Sequence, residues 1–149
     1  MIYTASYFEE NRHHGRLISI SRSEPKRIRS HGKLDFLVPS AELLRDWKSN
    51  LIDVAGYTAR YREEVRQNWT SVKTWLNSLD PVEDQTLLCW EGSGIDETLK
   101  RWQETGQWRE EQPFCHRNLA IKLVERYRPN CYGGRDVLLV PKLLCDSCN

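Results

Sequence analysis

The chain has no long hydrophobic run. Nothing in it approaches the roughly eighteen consecutive apolar residues of a membrane-spanning helix, so no span of that kind and no membrane partner is expected. Its opening, "MIYTASYFEENRHH", lacks the basic segment and apolar stretch of a secretory leader, and the expected location is the cytoplasm. Charge of one sign is not in excess. The 22 Lys and Arg against 21 Asp and Glu give a net +1, so the global basic signature of a nucleic-acid binder is missing. There is no GxGxxG, no GxxxxGK followed by Ser or Thr, and no HExxH, which removes the common dinucleotide, phosphate-loop and zinc-protease fingerprints. Disulfide framework logic is also lacking: the five cysteines are odd in number and irregularly spaced, which favours reduced thiols.

What is there is an ordinary folded composition, 39% hydrophobic and 29% charged over 149 residues, the size of one domain. The charge is unevenly spread. Residues 1–34 carry Arg12, Arg16, Arg22, Lys26, Arg27, Arg29 and Lys33 against Glu9, Glu10 and Glu24. Most of this excess lies in "RSEPKRIRSHGK", a basic loop able to attract phosphate, or simply a solvated one.

"IYTASYF" (Ile2–Phe8) and the alternating "RLISIS" (Arg16–Ser21) read as strands. Pro39 and Ser40 precede a helix carrying Leu43, Leu44, Trp47 and Leu51. From Asp53 a single long helix is predicted, with Val54, Tyr57, Tyr61, Val65, Trp69, Val72, Leu76 and Leu79 as one apolar stripe and its aromatics as core. "DQTLLCWE" reads as a buried strand ending near Cys89. The polar stretch at about 92–113 reads as an inserted loop or lid with one short helix, Asp96 to Trp102. A helix from His116 to about Arg128, then a last strand or extended tail from Gly133, complete the pattern, with a CxxC tail at 141–149. Strands alternating with helices predict a single α/β domain, a small, mostly parallel sheet flanked by helices in a Rossmann-like three-layer arrangement. The ligand crevice of such a sheet lies beyond the carboxyl ends of its strands.

Two segments fall there. In "FCHRN" a helix start offers unpaired N–H groups and a positive dipole end. Arg117 adds a bidentate anion contact, Cys115 becomes a thiolate candidate, and His116 a proton shuttle. In "LLCWE", Cys89 and Glu91 are two apart on a strand and point the same way, a thiol–carboxylate pair able to supply a nucleophile and an acid or base. The structural alternative is two packed thiols, a capping imidazole and solvated charges. Cys145 and Cys148 form a terminal CxxC that would need Cys131 or the His13–His14 pair to complete a zinc site. No second CxxC exists, so no cofactor is expected, with zinc on this tail as the alternative.

A second strand ending "SISRSEPK", then "LLCWE", then "CHRNLAIKLVE", in that order, resembles the domain of unknown function 488 family over about Ile2 to Val137. The resemblance implies an α/β fold and a polar pocket built from Arg22, Pro25, Cys89, Glu91, Cys115, His116 and Arg117, and it implies no settled reaction. The 25 residues between Cys89 and Cys115 exceed the family's usual short link. Together these readings predict an anion-binding pocket with Arg22, Lys26, Arg27 and Arg117 holding phosphate and Glu91, Cys89, Cys115 and His116 supplying chemistry. The expected ligand is a nucleotide or other phosphate-bearing molecule, with nucleic acid and a homodimer left open. Two alternatives are a non-catalytic phosphate or nucleic-acid binding module and a small zinc- or redox-responsive protein.

Overall fold

The computed structural model describes residues 1–107 and 114–140, with the backbone alone at 95 and 96. Among these residues, five strands form one sheet: β1 (Ile2–Ser6), β2 (Arg16–Ser19), β3 (Gly32–Lys33), β4 (Gln85–Cys89) and β5 (Tyr132–Arg135). Their order is β3-β2-β4-β1-β5, and every pairing is parallel. Among the described residues five helices, α1 (Ala41–Lys48), α2 (Val54–Gln67), α3 (Trp69–Ser78), α4 (Ile95–Thr105) and α5 (Arg117–Tyr127), accompany it, consistent with the expected single-domain three-layer α/β fold. Parallel strands are buried on both faces, which is why "TLL" in β4 is continuously apolar or satisfied rather than alternating.

One face carries the main core. Ile2, Ile18 and Leu87 from the strands, and Ile20 just past β2, meet Leu43, Tyr57, Tyr61, Val72, Ala120 and Val124 from α1, α2, α3 and α5. The opposite face holds a smaller cluster of Ala5, Tyr7 and Leu88, with Leu17 and Ile28 packed against it. Gly15, before β2, has φ +60°, and a Cβ there would lie 1.9 Å from the Asp84 carbonyl oxygen. Only glycine lets the chain enter β2 this close to the start of β4.

α1 begins where Ser40 was read as its cap, with the Ser40 Oγ accepting from the Leu43 N–H at 3.1 Å. Asp53 caps α2 in the same way, accepting from the Gly56 N–H at 2.7 Å. Three expectations change. The long helix is two: Asn68 leaves helical geometry (φ −96°, ψ 16°), and its backbone N–H and side-chain amide both donate to the Glu64 carbonyl, a local bond short amides make readily. Val54 stands in the exposed first turn rather than in the apolar stripe, and Leu51 lies beyond α1 and is exposed. The short helix expected at Asp96–Trp102 is longer, running from Ile95 to Thr105 between Gly94 and Gly106, both left-handed. β3, inside the basic loop, has no sequence signal of its own. The CxxC tail lies outside the described residues, as does the end of the expected 92–113 insertion.

Candidate functional site

Strand order fixes where a ligand crevice can form. β2 continues outward to β3, whereas the chain leaving β4 crosses β1 to reach β5. The two connections diverge between β2 and β4, and a sheet of this kind opens a crevice beyond the carboxyl ends of such a strand pair. A cavity of about 840 Å³ lies there. Ser21, Arg22 and Ser23 line it from the segment after β2, and Cys89, Trp90 and Glu91 from the end of β4. α1 contributes Leu44, Arg45 and Lys48, and the start of α5 contributes His116. A larger groove of about 920 Å³ lies between α2 and α5, lined in part by Arg62, Arg66, Trp69, Lys122 and Arg126, with none of these thiols in its wall.

At the crevice four chemically active groups converge from two elements: Cys89 and His116 line it, Cys115 is buried behind them, and Glu91 stands at its rim. Cys89 and Glu91 point the same way, as their spacing predicts, and the Cys89 thiol donates to Glu91 Oε2 at 3.1 Å. His116 enters from the turn that starts α5. It does not cap that helix with its side chain. Instead its Nε2–H donates to the Ile20 carbonyl at 2.7 Å, which leaves Nδ1 facing the thiols, 3.6 Å from Cys89 Sγ and 3.9 Å from Cys115 Sγ. The Tyr61 ring covers the imidazole at 5.6 Å between centroids. Both cysteines are free and only 3% and 2% exposed, and His116 is 5% exposed. One ligand-capable atom from each of Cys89, Cys115 and His116 lies within 4.8 Å of the others, the one such group among the described residues.

These groups shift one another's protons. Burial pushes the Cys115 thiol up, but the Cys89 thiol and the neighbouring imidazole outweigh it and bring Cys115 down to about 6. The contact with Cys115, then burial, pushes Cys89 well above the usual thiol value. The pair thus loses one proton easily and holds the second, and the charge belongs to both sulfurs. Burial lowers His116, yet its contact with Cys115 carries it above the ordinary imidazole range. Glu91 is raised by burial and held below its usual range by the two thiols.

Arg117, expected to hold phosphate, is not in the crevice wall. It is 1% exposed, and its Nη2 donates to both Asp136 carboxylate oxygens at 2.9 and 3.1 Å. The same guanidinium donates to the Glu91 and Gly92 carbonyls, so it anchors the backbone that carries Glu91. Glu9 holds the next residue, accepting from the Ser93 hydroxyl at 2.6 Å. Lys26 and Arg27 are exposed and are likewise not among the lining residues, whereas Arg22 is.

The tail cysteines Cys145 and Cys148 lie outside the described residues. Their suggested helpers are engaged elsewhere: His13 Nε2 bonds the Ser6 carbonyl, His14 Nε2 the Val137 carbonyl, and Cys131 packs beside the Leu79 carbonyl. Sequence reasoning missed Arg45 and Lys48, which reach the crevice three residues apart on α1. It also missed Trp90, whose indole donates to the Ser23 carbonyl at 2.9 Å and ties the two sides of the crevice together. Polar residues three apart on an amphipathic helix were the available signal for the first pair. Asp136 had none, because its partner lies 19 residues away.

No family model, curated protein or solved structure matches the chain.

Proposed function

We propose that the crevice between β2 and β4 binds a nucleotide or another phosphate-bearing ligand, including a nucleic-acid end, and that the Cys89–Glu91–His116 wall acts on it. One observation carries the reading: Arg22, Arg45 and Lys48 line the same cavity as Cys89, Glu91 and His116. Cations at one side would hold phosphate, and the reactive groups at the other would face the rest of the molecule. A volume of about 840 Å³ lies in the range of small-molecule sites. Glu91, exposed at the rim and bonded to a thiol, is the acid/base group of this reading. The resemblance in the "SRSEPK", "LLCWE" and "CHR" blocks supports the same pocket, and membership of the domain of unknown function 488 family is part of the proposal.

The burial of both thiols favours a second reading, a non-catalytic module in which the cavity recognises phosphate and the sulfurs only pack. Calorimetric titration of a nucleotide panel into wild type, Arg22→Ala and Lys48→Ala tests the pocket. Each variant is expected to weaken binding about tenfold, the loss of one charge-assisted contact. Equal affinity in all three proteins removes the crevice as the site. Turnover of a bound nucleotide that disappears in Glu91→Gln, with binding retained, selects the enzyme. Binding without turnover in wild type selects the module.

A further inference from the structure

We infer that Cys89, Cys115 and His116 form a zinc-binding centre whose fourth position opens to the crevice beside Glu91. The centre is at the inner wall of the sheet, not on the terminal CxxC.

The donor set is the first argument. Two thiols and an imidazole are the ligands that select zinc over the hard cations, and three protein ligands with one open position is the pattern of a zinc centre that meets a substrate or water. Spacing is the second. With zinc about 2.3 Å from sulfur and about 2.0 Å from nitrogen, tetrahedral geometry sets sulfur and nitrogen roughly 3.6 Å apart. Nδ1 of His116 lies 3.6 Å from Cys89 Sγ and 3.9 Å from Cys115 Sγ. Cys89 Sγ also lies 3.9 Å from Nε2, so loading with the ring held by Ile20 requires a rotation of the Cys89 side chain.

The supporting shell is the third argument. The other imidazole nitrogen donates to the Ile20 carbonyl at 2.7 Å, the arrangement that orients a metal-bound histidine and leaves the facing nitrogen with its lone pair. Glu91 Oε2, 3.1 Å from Cys89 Sγ, is not one of the ligand atoms within 4.8 Å of one another but stands beside them, where it can accept a proton from a water at the fourth position. Binding is balanced by proton release: counted from two thiols and a neutral imidazole, both sulfurs bind as thiolates, two protons leave to solvent, and the zinc and the two sulfurs together are neutral. Two chain segments separated by 25 residues then share one ion, which would fasten the start of α5 to the end of β4. The centre stands on this geometry, and it rests on the crevice reading only for what a ligand at its open position would be.

The test uses the full chain, expressed with zinc in the medium, and its Cys145→Ser/Cys148→Ser variant. Elemental analysis is expected to give about one zinc per chain in both. Replacing zinc by Co²⁺ in the tail variant is expected to give a thiolate-to-cobalt charge-transfer band and the intense visible bands of a tetrahedral ion. These should persist when Cys131→Ala is added. Zinc that disappears with the tail cysteines, or a tail variant without the charge-transfer band, overturns the proposal. Because the tail variant leaves Cys89 and Cys115 in place, misfolding of a site variant does not cloud the result. Metal content and nucleotide affinity report separately. Zinc bound with no nucleotide affinity sinks the ligand reading alone, and nucleotide affinity in a zinc-free protein sinks the metal alone.

Discussion

Arg117 is a cation whose position in the fold determines its role. The sequence places it at a helix start, where an exposed guanidinium would meet anions. Burial instead gives it Asp136, a residue held at φ +52° at the end of β5, with its backbone N–H donating to the Thr4 carbonyl at 2.8 Å. Breaking a buried pair from one side leaves an uncompensated charge, which costs about 3 kcal/mol. Asp136→Ala is therefore expected to lower the unfolding free energy by about that amount, measured by urea denaturation. The double variant Arg117→Met/Asp136→Ala should recover only the part of the loss due to the uncompensated charge, because the Glu91 and Gly92 carbonyls lose their donor. If Asp136→Ala unfolds like wild type, the pair does not hold the Glu91 backbone. Arg117→Ala, for the same reason, is a stability variant and a poor probe of ligand binding.

α1 and α2 are joined at their surface by Arg60 and Asp46, whose Nη1 and Oδ2 lie 2.6 Å apart. The hydrogen bond from Arg60 holds the Asp46 carboxyl below its usual value. A carboxyl whose folded-state value is depressed adds stability above its unfolded value, about 4, and loses it as pH falls through the folded one. Asp46→Asn should melt slightly below wild type at neutral pH, and the gap should close below about pH 4 and shrink in high salt. An equal gap at pH 3 and pH 7 would mean that Asp46 acts by packing. The elements themselves were largely readable in the letters. Capping residues and apolar spacing located α1, the start of α2, β1, β2 and β4 within a few residues. The unread features depend on competition or distance: at the break the Asn68 side-chain amide shares the Glu64 carbonyl with the backbone N–H, and two-residue β3 pairs along the edge that β2 offers. The same division holds at the site. Cys89, Glu91, Cys115 and His116 are drawn together as their motifs suggested, whereas the roles of Arg117, Lys26 and Arg27 depended on burial and loop path that no local pattern encodes.

At the scale of the whole molecule, near-neutral charge sets a limit on how phosphate can be held. With a net +1, the protein offers no broad positive field, so anion binding must come from the few cations that line a cavity. Among the described residues, Arg22, Arg45 and Lys48 are the three in the crevice wall, and Arg45 is partly engaged by Glu42 and Asp46 at 3.9 and 3.4 Å. Counterion release makes this measurable. For a single-stranded ligand the slope of log affinity against log salt is about −0.7 for each phosphate neutralised, so three contacts give a slope of about −2. A short oligonucleotide titrated at several salt concentrations is expected to show that shallow slope, and Arg22→Ala should make it shallower by nearly one contact. A slope near −3 that Arg22→Ala leaves unchanged needs about four contacts, one more than the crevice offers. It would move the nucleic-acid path onto the groove between α2 and α5, where Arg62, Arg66, Lys122 and Arg126 flank Trp69. That outcome would also separate the strand-binding surface from the Cys89–Glu91 wall. The crevice would then act on the end of a strand held elsewhere, rather than on a free nucleotide held by its own three cations.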